Sequence, residues 1–126
     1  MRFDDWADFV VERGDGRYIT TEGAKDLLLR AEAEGLLIEA VNNELSKNDC
    51  ICLCCVCCCG PLKMLKAFPG KAIEKAGNCL VKMDKTKCTE CGICIERCPM
   101  DVMYKEGDTV RCDLSECVDC GLCSST

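Results

Sequence analysis

The hydrophobic positions near the start of the chain have the spacing of a short helix. Trp6, Phe9 and Val10 recur at i, i+3 and i+4, which predicts an amphipathic helix over residues 4–13. Gly14 follows as a residue that would end it. Trp6 is the only tryptophan of the chain, and a large aromatic side chain of this kind is typical of a core or interface anchor.

A second helix is predicted over residues 22–34. Thr20 or Thr21 can cap its N-terminus, and Gly35 is typical of the left-handed residue that follows a helix C-terminus. Its apolar stripe consists of Ala24, Leu27, Leu28 and Ala31. Residues 36–41 then have the composition of a strand. The pattern indicates a helical N-terminal region, which we expect to act as a scaffold for the segments that follow.

Apolar and polar positions in the second half predict shorter elements. Pro61 can begin a helix over residues 61–68, and the alternation over 78–83 is typical of a strand. Residues 102–105 and 109–112 flank a glycine-containing turn and predict a hairpin. The fold class predicted is therefore α+β. Its core is too small for apolar burial alone to stabilise it, so a further source of folding free energy is expected.

Cysteine usage changes this picture most. The 126 residues include sixteen cysteines and no histidine. Many cysteines are adjacent or two residues apart, a poor framework for disulfides and a good one for metal ligands. The first residues contain acids where a secretory leader would be basic, so we expect a reducing, cytoplasmic location. The absence of histidine excludes Rieske clusters, Cys/His zinc fingers and histidine-based catalysis.

The net charge and the hydropathy of the chain indicate which classes of partner it can bind. The formal net charge is −6 at pH 7, which argues against nucleic acid, because phosphate binding needs an excess of lysine and arginine. An acidic balance suits docking on a positively charged redox protein. The apolar run over residues 51–62 is well short of the ~20 residues that span a bilayer, so no membrane span is predicted.

Seven cysteines in the C-terminal part fall into two motifs. The first is C-x2-C-x2-C-x3-C-P, formed by Cys88, Cys91, Cys94 and Cys98 before Pro99. The second repeats its first three positions with Cys117, Cys120 and Cys123. Thiolates spaced by two residues in a loop can face one iron–sulfur cubane, and this run is a known [4Fe-4S] signature. The fourth cysteine of the first motif lies one residue too far along to join the other three.

On these motifs, residues 79–126 resemble the two-cluster bacterial ferredoxin domain. The resemblance implies crossed ligation, in which Cys98 completes the cluster of the second motif. The first three cysteines of the first motif would then need a ligand after Ser124-Ser125-Thr126, where the sequence stops. We interpret the chain as truncated at its C-terminus. The alternatives are a three-iron cluster, or a ligand borrowed from a partner or from Cys112, although we do not expect Cys112 to be a ligand.

Residues between the predicted ligands have supporting roles. Gly92 and Gly121 allow close approach of backbone N–H groups to cluster sulfur. The apolar residues predicted to shield the clusters are Ile93, Ile95, Val118 and Leu122. Cys79 has no spacing partner and is predicted to be a packed free thiol.

The run over residues 50–59 contains seven further cysteines, which no packing argument requires. The predicted metal ligands of this run are Cys52, Cys54, Cys55, Cys57, Cys58 and Cys59. An additional iron–sulfur site, redox-active vicinal thiols and a simple metal trap all remain open. With this run the resemblance extends over residues 21–126 to longer 4Fe–4S dicluster proteins of anaerobic prokaryotes, which carry asparagine where Leu53 stands.

The sequence therefore predicts four segments: 1–48 helical, 49–60 cysteine-rich and metal-binding, 61–78 a helical linker, and 79–126 a dicluster ferredoxin domain incomplete at its C-terminus. The predicted function is electron transfer between redox enzymes by [4Fe-4S] clusters, in a free carrier or as the cluster-bearing part of a larger reductase. The predicted protein is not itself an enzyme. The alternative is a thiol-rich metal-binding or metal-handling protein that acts through the cysteine run.

Overall fold

The computed structural model describes residues 1–40, 50–68 and 81–125. The chain forms two compact units, Met1–Cys54 and Cys55–Thr126. Helices and two antiparallel two-stranded sheets make the chain α+β, as predicted. The finer division into four segments stays a prediction.

Two helices and one small sheet make up the N-terminal unit. Helix α1 spans Asp4–Glu12 and α2 spans Thr21–Ala33, which confirms both predicted helices. Thr20 caps α2 because its hydroxyl oxygen accepts from the Gly23 N–H at 3.1 Å. Gly35 has a φ of 76°, the left-handed conformation expected after a helix C-terminus.

The sheet of this unit joins distant parts of the sequence. Strand β1, Leu37–Ala40, pairs antiparallel with β2, Ile51–Cys54. The terminal amine of Met1 donates to the Ile51 carbonyl at 2.6 Å, and the Ile51 N–H donates to the Met1 carbonyl. The predicted strand over 36–41 is therefore confirmed at 37–40, whereas β2 within the cysteine run was not predicted.

Trp6 is not buried, although the sequence predicts a core or interface anchor at this position. Its side chain is 50% exposed and makes an edge-to-face contact with Phe9, with ring centroids 6.0 Å apart. The described part of α1 has no buried residue, because its apolar stripe faces solvent in this unit. A core role for Trp6 is thus wrong within the described residues, and an interface role stays a prediction.

The C-terminal unit contains the remaining elements. Helix α3 spans Gly60–Ala67, α4 spans Ile93–Glu96, and a single 3-10 turn spans Leu122–Ser124. Strands β3, Met103–Glu106, and β4, Thr109–Cys112, form the predicted hairpin. The helix predicted after Pro61 is confirmed and begins one residue earlier, at Gly60.

One strand prediction fails in this unit. Residues 81–83, the described part of the predicted strand over 78–83, have no strand pairing. Cys79, predicted to be a packed free thiol, lies outside the described residues.

A small core organises this unit. Met100, Val102 and Cys117 are buried and pack against a ring of partly buried residues. That ring includes Val56, Leu65, Val81, Cys98, Cys112 and Val118. Of the cysteines of the predicted motifs, Cys117 thus belongs to the core itself and Cys98 packs against it.

Candidate metal centre

Two similar turns lead into the two cysteine motifs. The Asp84 carboxylate accepts from the backbone N–H and the hydroxyl of Thr86, at 3.0 and 2.7 Å. Asp113 accepts in the same way from Ser115, at 2.9 and 2.6 Å. Each hydroxyl residue lies two positions before the first cysteine of its motif. These Asp-x-Thr/Ser turns fix the entry of each loop, and they form a repeat that was not predicted.

The backbone of the two loops repeats as well. Glu90 and Gly92 have φ values of 57° and 81°, and Asp119 and Gly121 have values of 53° and 79°. A side chain at either glycine would meet no heavy atom within 4 Å, so the positive φ, rather than lack of space, is what favours glycine there. After the second left-handed residue each chain segment turns into a short helix, α4 or the 3-10 turn.

The second motif surrounds a cavity together with one cysteine of the first. Residues lining this cavity include Cys98, Cys117, Cys120 and Cys123. The rest of the lining is mostly apolar and consists of Val81, Met100, Val102, Met103, Cys112, Val118 and Gly121. Cys98 therefore lines a cavity with the second motif, whose loop lies about twenty residues further along the chain, although in the sequence Cys98 belongs to the first motif. Four thiols around an apolar cavity are a donor set that fits an iron–sulfur cubane.

Burial dominates the electrostatics of this cavity. It is the largest cause that raises the pKa values of the Cys117, Cys120 and Cys123 thiols. The charges of neighbouring cysteines, Cys98 among them, add to the increase at Cys120 and Cys123. Desolvated thiols that crowd one another remain protonated unless a cation takes up the negative charge. The cavity is therefore suited to bound metal and unsuited to free thiolates.

Cys112 lines the same cavity although it belongs to neither motif. Burial, followed by the charge of Cys117, raises the pKa of its thiol to about 12. Cys112 ends strand β4, where it pairs with Met103. The expectation that it is not a ligand stays a prediction, and its position beside four candidate ligands makes it the residue to test.

The first motif lies in a more open setting. Cys91 is exposed, and Cys88 and Cys94 are half-buried. The backbone N–H of Ile93 donates to the Cys91 sulfur and lowers the pKa of that thiol. Ile93, predicted to shield a cluster, is 45% exposed, whereas Leu122 at the matching position of the second loop is 4% exposed. Val118 lines the cavity of the second motif, whereas Leu122 is buried outside that lining. That these residues, together with Ile93 and Ile95, shield clusters stays a prediction.

Arg97 connects the two loops, and sequence reasoning missed it. Its Nε donates to the Leu122 carbonyl at 3.1 Å, and one terminal nitrogen donates to the Ser125 hydroxyl at 3.3 Å. Because Arg97 directly precedes Cys98, these bonds hold the fourth cysteine of the first motif against the second loop. No local signal in the sequence identifies this contact, because the acceptors of Arg97 lie more than twenty residues further along the chain.

The cysteine run over residues 50–59 is divided between the two units. Cys52 and Cys54 lie on β2, and the thiol of Cys54 approaches the Glu39 carboxylate at 3.9 Å. Burial, followed by the neighbouring Cys50, raises the pKa of Cys52. Cys55, Cys57 and Cys58 lie in the turn that follows, with their sulfurs within 4.8 Å of one another, and Cys59 caps α3.

Residues 80–126 match the family model of the 4Fe-4S dicluster domain. The match supports an iron–sulfur, ferredoxin-like domain in this part of the chain, and the cysteines there fit the binding of [4Fe-4S] clusters. The match covers less than half of the chain, and it starts after the cysteine run and the N-terminal unit. No curated protein and no solved structure matches the chain. Among the described residues, no helix has the length and apolar character needed to cross a membrane.

Proposed function

We propose that the dicluster domain binds two [4Fe-4S] clusters and transfers electrons between redox proteins, as a free carrier or as the cluster-bearing part of a larger reductase. The observation that carries this proposal is the cavity lined by Cys98, Cys117, Cys120 and Cys123. Crossed ligation is the arrangement of two-cluster ferredoxins, and this cavity has the donor set that crossing requires. The remaining cysteines of the first motif would hold the other cluster.

The residues around the ligands would tune the site. When bound, a [4Fe-4S] cluster accepts and releases one electron. The Asp119 N–H lies 3.4 Å from the Cys117 sulfur, and the Ile93 N–H donates to Cys91. Such donors stabilise negative charge on sulfur and favour the reduced state. Val118 lines the cavity of the second site, and its apolar side chain would limit water there, which disfavours the more negatively charged, reduced state of a cluster.

The net charge of the chain and the thiolate chemistry of its ligands indicate the kind of partner and the compartment that we propose. A net charge of −6 favours docking on a positively charged surface of a redox enzyme, because opposite charges raise the encounter rate. Cysteines must be thiolates to hold the clusters, so we propose a reducing, cytoplasmic and anaerobic setting. We further propose that the protein is a carrier and no enzyme, since the chain lacks histidine for acid–base chemistry.

The test is to compare three variants by their remaining cluster signals. The variants are Cys91→Ser, Cys98→Ser and Cys120→Ser, each reconstituted anaerobically. Iron and acid-labile sulfide are measured per chain, and electron paramagnetic resonance spectra are recorded after reduction. Crossed ligation predicts that Cys98→Ser retains the same signal as Cys120→Ser, and that Cys91→Ser retains the other one. If Cys98→Ser instead matches Cys91→Ser, the assignment is wrong. A wild-type chain that holds zinc or copper and little sulfide would refute the electron-transfer proposal.

A further inference from the structure

A second group of thiols lies outside the dicluster domain. The Cys58 sulfur is 2.9 Å from that of Cys55 and 3.4 Å from that of Cys57. All three sulfurs lie within 4.8 Å of one another. Cys57 and Cys58 are exposed and Cys55 is half-buried, so the group opens to solvent. It precedes residue 80, where the family match begins.

A defined backbone turn brings these sulfurs together. The N–H groups of Cys58 and Cys59 both donate to the Cys55 carbonyl, at 3.4 and 3.0 Å. Cys59 is then the N-cap residue of helix α3, and its carbonyl accepts from the Lys63 N–H at 3.0 Å. The turn is therefore continuous with the first turn of a helix. Sequence spacing alone does not bring three thiols to one point, and this backbone does.

We propose that Cys55, Cys57 and Cys58 form a separate site for one thiophilic d10 cation, of the zinc or copper(I) type. Soft thiolates select such ions. With a metal–sulfur distance of about 2.3 Å and tetrahedral angles, ligand sulfurs lie roughly 3.8 Å apart. The Cys58 sulfur lies 2.9 Å from that of Cys55 and 3.4 Å from that of Cys57, so it would need to move outward by less than about 1 Å, and the Cys55–Cys57 pair must first be reduced. The thiolates of a cubane bind different irons and diverge, so they need a wider separation. The geometry thus favours a single ion over a third cluster.

The site has an oxidised and a reduced form. The structure contains a disulfide between Cys55 and Cys57, and this form cannot offer three thiolates. A phosphine reductant cleaves the S–S bond, with water supplying the oxygen of the phosphine oxide and the two protons of the new thiols. Metal binding then displaces the thiol protons. The exposed side of the group leaves a coordination position open to solvent or to another thiol.

The test uses the full chain with its clusters in place. Anaerobic, phosphine-reduced protein is titrated with Co²⁺, whose charge-transfer bands report thiolate ligands, and the cobalt is then displaced by Zn²⁺ or Cu(I). We expect one Co²⁺ per chain. Cys57→Ser and Cys58→Ser should each weaken binding about tenfold or more, since the loss of one ligand exceeds the usual effect of an outer-shell change. Cys52→Ser, in the same run but on β2, is the matched control and should bind normally.

Three outcomes would overturn the inference. Cobalt bands that persist in Cys57→Ser and Cys58→Ser would place the ion elsewhere, and equal loss in Cys52→Ser would mean a different ligand set. About four extra irons with matching sulfide, lost in Cys58→Ser, would indicate a third cluster. Iron and sulfide at the dicluster domain are measured on the same samples, so the failure of this site and the failure of the proposed function are distinguishable.

Discussion

Leu122 and Ile93 occupy the same position in two similar loops, so they form a matched pair within one protein. Each follows the left-handed glycine and precedes a cysteine of its motif. Leu122 is 4% exposed and Ile93 is 45% exposed. Truncation to alanine removes three carbons from either side chain. At about 0.8 kcal/mol per carbon, Leu122→Ala loses about 2.4 kcal/mol of transfer free energy, to which a cavity term is added.

The same change at Ile93 should destabilise the protein much less. Roughly half of its side chain is in water already, so Ile93→Ala loses about 1 kcal/mol and leaves an open surface without a cavity. Ile93 is also the first residue of α4, where alanine is a slightly better helix former than isoleucine. The two variants should therefore differ by about 1–3 kcal/mol in favour of Ile93→Ala.

The assay is the rate at which cluster absorbance disappears in urea under anaerobic conditions. A rate is the proper measure because unfolding releases the clusters and is irreversible. If the lost free energy is expressed in the unfolding barrier, 2 kcal/mol accelerates the loss about 30-fold. Iron and sulfide per chain must be equal in both variants before unfolding. Equal acceleration in the two variants, or a larger effect in Ile93→Ala, would refute the assignment of the second loop as the buried one.

Three further changes probe other parts of the chain. Tyr18 donates to the Asp8 carboxylate at 2.8 Å, and this bond raises the pKa of the phenol above 10.0. The stabilisation it gives is present below pH 10 and is lost as pH rises through the folded-state pKa, so Asp8→Asn should shift the tyrosinate absorbance change to lower pH. Asp113→Ala removes two hydrogen bonds from Ser115 and should cost about 1–2 kcal/mol, seen as faster cluster loss in urea than in Ser115→Ala. Cys112→Ala should leave iron and sulfide per chain unchanged, and the loss of one cluster's iron would make Cys112 a ligand.

Local signals in the sequence predict the local structure well. The Thr20 cap and the left-handed Gly35 fix both ends of α2, because capping and positive φ depend on residues within one turn. The hairpin of β3 and β4 follows from two short apolar runs around a turn, for the same reason. The ligand set predicted from the cysteine motifs stays a prediction, although four of its seven cysteines line one cavity.

Features that depend on distant residues were not predictable in this way. Strand β2 was missed because cysteine at alternate positions hides the usual period-two pattern, and because its partners are β1 and Met1. Likewise, the sequence gives Ile93 and Leu122 the same apolar character, and only tertiary packing makes one exposed and the other buried. Periodicity predicts which face of an element is apolar and does not predict what covers it.

The contacts of residues 97 and 98 connect the end of the first motif to the second motif. Arg97 is bonded to the carbonyl of Leu122, and Cys98 lines the cavity of the second motif. Removing either residue would therefore disturb a site whose other ligands lie in a different loop. Because the apolar core is small and includes Cys117 itself, that site and the core share their residues. Metal binding and folding are then coupled, and a change at Arg97 or Cys98 should disturb the second motif, whereas Cys91→Ser should leave it intact.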